Sequence, residues 1–146
     1  MIGYLDTSAF VPLVVTEPGS ESCRRFWDDA DTVVTSRLLY VETAAALAQA
    51  HRMGRLTDES LESSLHLLTD LWTDFDVVEV DQTIVERAAV LARRFALRGY
   101  DAVQCASAEQ LGDSELVAAA GDRKLLDAWS ELGIHTFDTN PRQPAT

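Results

Sequence analysis

Along this chain, short apolar runs alternate with longer stretches in which apolar side chains return every third or fourth position. The runs at 2–5 (IGYL), 31–35 (DTVVT), 76–80 (DVVEV), 115–120 (ELVAAA) and 134–137 (IHTF) predict β-strands. Helical patterns lie between them. Asp6-Thr7-Ser8 offers an N-cap for a short helix, in which Pro12 is expected to fit only near the start. Residues 20–30 make a second helical stretch with Phe26 and Trp27 inward. Ser36 is expected to cap a long helix that runs to about Met53 and stops at Gly54. Thr57 caps the next, whose apolar stripe is Leu61, Leu65, Leu68, Trp72 and Phe75. Asp81 caps a helix bearing Ile84, Ala88, Leu91, Ala92 and Phe95, with Gly99 as its expected stop. Further helices are expected at 101–110 and 122–132.

Such alternation sets helices on both faces of a mostly parallel sheet, so the expected fold class is α/β with five strands. A chain of 146 residues, 47% of them hydrophobic, is enough for one domain with a real core, expected over 1–138. Residues 139–146, ending in NPRQPAT, carry two prolines and no apolar periodicity, which predicts a disordered tail. Trp27, Trp72 and Trp129 all fall in amphipathic helices and are expected to pack in the core. The uncharged stretch 7–16 is far shorter than the roughly 20 residues a membrane span requires. A soluble, cytoplasmic protein with no membrane segment is expected. Cys23 and Cys105, far apart and in helical patterns, read as reduced core thiols.

Charge changes this picture in one respect. With 24 acidic and 12 basic residues the formal charge is −12, which argues against broad non-specific attraction to nucleic acid. The distribution is uneven: 56–81 holds eight acids and no Lys or Arg, whereas 87–98 holds four arginines and no acid. The basic block leads directly into Asp101.

Three aspartates stand where an open parallel sheet gathers its ligands, at the carboxyl ends of strands. Asp6 closes the first strand, Asp122 follows the fourth in AAAGDRKL, and Asp101 opens a helix in LRGYDAVQ. Each taken singly reads equally well as a helix N-cap. Glu42 is different, because in LLYVETAAAL its helical neighbours are Leu38, Leu39, Ala45 and Ala46. Burying a carboxylate there unpaired costs several kcal/mol or forces protonation. Either an arginine such as Arg37 pairs with it, or it converges with the aspartates. Two carboxylates about 4 Å apart repel by roughly 4 kcal/mol at an effective dielectric of 20, so four together call for cations. Oxygen donors with no cysteine or histidine beside them favour Mg²⁺ or Mn²⁺ over zinc. His51, His66 and His135 show no ligand spacing. An acidic divalent-ion site suits phosphodiester hydrolysis, and no positioned nucleophile and base suggest a covalent route.

The four acids in this order, each in its own context, resemble the PIN-domain nucleases. The pieces are Asp6 in LDTSAF, Glu42 in VETAAAL, Asp101 in LRGYDAVQCA and Asp122 in GDRKL, and the resemblance runs from Ile2 to about Asp138. Within that family the chain is most similar to the toxin ribonucleases of VapBC-type (type II) toxin–antitoxin pairs. The resemblance implies a PIN-like fold and a metal-binding catalytic cluster of Asp6, Glu42, Asp101 and Asp122 that takes Mg²⁺ or Mn²⁺, with the Thr7 hydroxyl beside it. It further implies an endoribonuclease that cuts structured transfer or ribosomal RNA, assembles as a homodimer, and is silenced by a cognate antitoxin that lays a C-terminal segment over the acids. Arg93, Arg94, Arg98, Arg123 and Lys124, with Arg87, are candidates to hold RNA phosphates. One departure stands out: Ala120 occupies the place, two before the fourth acid, where the family often has Thr or Ser. Loss of that hydroxyl leaves room for a catalytically weak PIN-like module that binds RNA or a partner. A phosphoacceptor receiver domain fits less well, since the one lysine, Lys124, lies inside a predicted helix.

Overall fold

The computed structural model describes residues 1–142 of the chain. Among them, five strands form one sheet in the order β3-β2-β1-β4-β5, and every pairing is parallel. β1 (Ile2–Leu5) lies at the centre, flanked by β2 (Thr32–Ser36) and β4 (Leu116–Ala120), with β3 (Phe75–Val78) and β5 (His135–Asp138) at the edges. The chain builds outward from β1 on one side and then returns to build outward on the other. This reversal puts a crevice at the carboxyl end of β1, the usual ligand position of such sheets.

Side chains alternate across the sheet and supply two cores. Tyr4, Ala118 and Ala120 point to the face covered by α5 (Gln82–Phe95), α6 (Gly99–Leu111) and α7 (Arg123–Glu131), where they meet Leu91, Cys105 and Trp129. Leu5 and Ala119 point to the opposite face, under α1 (Thr7–Val14), α2 (Ser20–Asp29), α3 (Leu39–Arg52) and α4 (Asp58–Trp72), with Phe10, Phe26, Leu47 and Leu68. Gly3 belongs here for a steric reason: a Cβ on it would lie 2.9 Å from the Phe26 ring. All three tryptophans pack on aromatic neighbours, Trp27 stacking on Phe10 and Trp129 meeting Tyr4 edge-on. Cys23 and Cys105 are free, buried thiols. No helix of the described residues is long and apolar enough to cross a membrane.

Caps at Asp6, Thr57, Asp81 and Asp122 accept backbone N–H bonds at the predicted helix starts. Four boundaries differ from expectation. Ser36 ends β2, and its hydroxyl accepts from Leu38 N, so α3 begins three residues later. Phe75 continues the apolar stripe of α4 in space but belongs to β3, because the helix stops at Trp72. Gly99 opens α6, while α5 ends at Ala96 in a left-handed conformation (φ 54°). Pro12 sits inside α1 rather than near its start, and its missing N–H costs this eight-residue helix the bond that would otherwise reach Ser8 O.

The expected disordered tail does not hold at its start. Thr139 is buried and its N–H bonds Ala120 O, while the Asn140 amide donates to Gly121 O. Residues 143–146 of that tail lie outside the described residues.

Holding alanine at positive φ costs about 1 kcal/mol that glycine does not incur. Ala96→Gly is therefore expected to raise stability by about 1 kcal/mol in urea unfolding, an outcome that a lower midpoint would contradict.

Candidate active site

Asp6 is the first residue beyond β1 and is only 4% exposed. Its Oδ2 accepts from Ser8 N at 3.1 Å and from the Ser8 hydroxyl at 2.5 Å, as an N-cap does. The Ser8 Oγ in turn accepts from Gly121 N at 2.8 Å, which ties this corner to the end of β4. Glu42 projects from the first turn of α3 and is half-buried. Arg37 does not reach it, being paired with Glu79 on the surface through its Nε at 3.1 Å. The partner of Glu42 is neutral: Gln104 Nε2 donates to its Oε1 at 3.3 Å. Asp101 stands in the first turn of α6, and Asp122 caps α7 by accepting from Lys124 N and Leu125 N.

These four acids, with Thr7, line one cleft of about 740 Å³. Their electrostatics register the crowding. Burial pushes the Asp6 carboxyl up to about 6, against the stabilising Ser8 hydrogen bonds and with the Asp101 charge adding to the rise. Glu42 is pushed up to about 7 by burial and then by the Asp6 charge, despite the Gln104 donor. Asp101 is also raised, by burial and by Asp122, while Arg98 acts in the opposite direction.

Among the described residues no three of His, Cys, Asp and Glu close around a common point as a ready ligand set. The carboxylates of Asp6 and Asp122 are turned toward backbone N–H groups of their own helices, and mutual repulsion opposes closer approach. The donor set still fits a hard divalent ion, since Mg²⁺ keeps several waters and is bound through one or two carboxylates plus substrate phosphate.

The basic residues divide. Arg98 is exposed and close enough to act on Asp101. Arg93 and Arg94 are exposed in the last turn of α5 and do not line the cleft. Arg123 is engaged with Asp138 at 3.0 Å and with Asp127, Lys124 is exposed beside it, and Arg87 is held bidentately by Glu109 at 2.6 and 2.7 Å. The cation that does line the cleft is Arg52, and Tyr100, 48% exposed, lines it beside Asp101. Sequence reading missed both. A helical series from Glu42 through Ala45, Ala46 and Gln49 to Arg52 carried the signal, because these residues share one side of α3.

The fold and this acid-lined crevice define the class, and the comparisons agree: the PIN domain model matches residues 3–129, and the chain belongs to the PIN-domain family. Its relatives there include Ribonuclease VapC49 of Mycobacterium tuberculosis, 45% identical over 122 residues that cover 84% of this chain and 85% of the relative. Among solved structures, M. tuberculosis VapC20, described as a Sarcin-Ricin loop cleaving toxin, superposes with a TM-score of 0.68 at 21% identity, covering 86% of this chain and 94% of that one. A toxin-antitoxin complex from Klebsiella pneumoniae superposes with a TM-score of 0.60 at 18% identity, over 85% of this chain and 89% of its own.

The raised carboxyls have a thermodynamic consequence. Asp6 and Glu42 bind protons in the folded state up to about pH 6 and 7, whereas the unfolded chain releases them near 3.8 and 4.5. More protons on the native state means that stability of the ion-free protein falls as pH rises through that window. Melting in chelator is expected to show a lower Tm at pH 7.5 than at pH 5. Asp6→Asn keeps an acceptor for Ser8 N and removes the charge, so it should raise the Tm at pH 7.5. A lower Tm for that variant would contradict the account.

Proposed function

We propose that this chain is a Mg²⁺- or Mn²⁺-dependent endoribonuclease that serves as the toxin of a VapBC-type pair, cutting structured transfer or ribosomal RNA in the cytoplasm and silenced by a cognate antitoxin. The observation that carries the reading is the arrival of four carboxylates from β1, α3, α6 and the β4–α7 turn in one cleft, with Glu42 free of any guanidinium. The kinship with VapC ribonucleases supports the same conclusion.

Asp6, Glu42, Asp101 and Asp122 would hold the ion. Bound there, a divalent ion supplies Lewis acidity for orienting water and for offsetting the charge that develops at phosphorus. Asp6 is fixed by Ser8 against the end of β4, and Asp122 by the backbone N–H groups of Lys124 and Leu125. Val11 and Leu38 give the cleft an apolar wall that strengthens charge interactions inside it. A phosphodiester approaching this acidic mouth needs local cations, and Arg52 and Arg98 stand where they can offset the repulsion. Tyr100 offers a ring on which a base can stack.

The antitoxin reading rests on charge: a basic segment entering the cleft would meet the four acids, and the exposed acids of α4 offer a second acidic surface. The homodimer is part of the same reading, and Val85 and Val90 on α5 are exposed apolar side chains that a second copy could cover. A second reading, a catalytically weak PIN-like module that binds RNA or a partner, is favoured by one observation, the failure of any three acids among the described residues to gather as a ligand set.

Purified protein freed of antitoxin is expected to cut structured RNA on addition of Mn²⁺ and to stop on chelation. Asp101→Asn should lower cleavage by at least about a hundredfold while leaving the melting temperature unreduced. Undiminished cutting by that variant at saturating Mn²⁺ removes Asp101 from the site, and Mn²⁺-independent inertness of the wild type favours the weak module. Arg52→Ala is expected to weaken RNA binding about three- to tenfold across sequences, read as a rise in KM.

A further inference from the structure

Behind the acids lies a polar chain that none of these roles uses. Gln104 is fully buried on α6, one turn beyond Asp101, and does not line the cleft. Its Oε1 accepts from the Tyr4 hydroxyl at 2.5 Å, and its Nε2 donates to Glu42 Oε1 at 3.3 Å and to Thr7 Oγ1 at 3.4 Å. Tyr4 is itself fully buried on β1, two residues before Asp6, with its ring edge-on to Trp129 at 5.9 Å. These neighbours decide which way the amide points. Turned over, it would set a carbonyl oxygen against the Glu42 carboxylate.

We propose that Gln104 is a positioning residue for the nuclease site: its amide, oriented by the Tyr4 hydroxyl, steers one oxygen of Glu42 and the hydroxyl of Thr7, leaving the other Glu42 oxygen to a divalent ion. The inference rests on the nuclease reading above. A neutral amide suits this task better than a guanidinium, because it orients the carboxylate without cancelling the charge an ion must see. Both donor distances are long for an N–H···O bond, so the amide steers Glu42 rather than clamping it. Tyr4, Gln104 and Glu42 come from β1, α6 and α3, so the relay joins three elements that build the cleft.

Calorimetric titration of the full chain with Mn²⁺, alongside melting in chelator and steady-state cleavage, tests this. Gln104→Met is expected to lower Mn²⁺ affinity and kcat each by roughly tenfold. The KM for RNA should stay within about twofold. Tyr4→Phe should shift both in the same direction by less, and should add nothing in the Gln104→Met background. Unchanged Mn²⁺ affinity in Gln104→Met with a lowered Tm would reduce Gln104 to a structural role and overturn the proposal, as would independent, multiplying effects of the two substitutions. If Gln104→Met does not fold, Tyr4→Phe alone decides, and unchanged Mn²⁺ affinity overturns the relay. A wild type that neither binds Mn²⁺ nor cuts RNA instead removes the nuclease reading on which the relay stands.

Discussion

Burial and like-charge repulsion act together on Asp6, Glu42 and Asp101, each of which holds its proton more tightly than an exposed carboxyl does. A fold optimised only for stability would place an amide or an apolar side chain at these positions. The chain instead keeps the charges and surrounds them with neutral donors: the Ser8 hydroxyl and N–H at Asp6, and the Gln104 amide at Glu42. Among the described residues no guanidinium pairs with Glu42: Arg37, the arginine nearest it in sequence, is engaged with Glu79. That charge on the acids is the feature on which the proposed cation site rests.

Topology makes the crowding possible. Because the sheet order reverses at β1, the segments that follow β1 and β4 open side by side, and Ser8 bridges them through Gly121 N. α3 and α6 then bring Glu42 and Asp101 in from the two faces of the sheet. Residues separated by most of the chain thereby share one wall, with α6 packed tightly on β2 and α5 beneath them.

The strand and helix order was legible because each element carries a clean period and because Asp6, Thr57, Asp81 and Asp122 are helix-starting residues in both sequence and structure. Glu42 on an apolar helix required something polar opposite it, which left an arginine and the aspartates as alternatives, and the resemblance to the PIN-domain family pointed to the aspartates. What faces it was not legible. Gln104 in a helix of small residues looks like an ordinary surface amide, and nothing local reports that its side chain reaches Tyr4 and Glu42 across the fold. The helix stop at Ala96 was hidden likewise, since a nearby Gly99 offers the more obvious chemistry while the packing of Leu97 decides the turn. The charge blocks did not foretell which cations line the cleft: Arg93 and Arg94 do not, and Arg52, which does, belongs to no block.

The central claim is that the acids are kept partly protonated by burial and by one another until an ion neutralises them. Counting the protons expelled when Mn²⁺ binds, by titration calorimetry in buffers of differing ionisation enthalpy, measures it directly. Net release of about one proton or more at pH 6.5, vanishing by pH 8.5, is the predicted result. Binding with no proton release at pH 6.5 would contradict it.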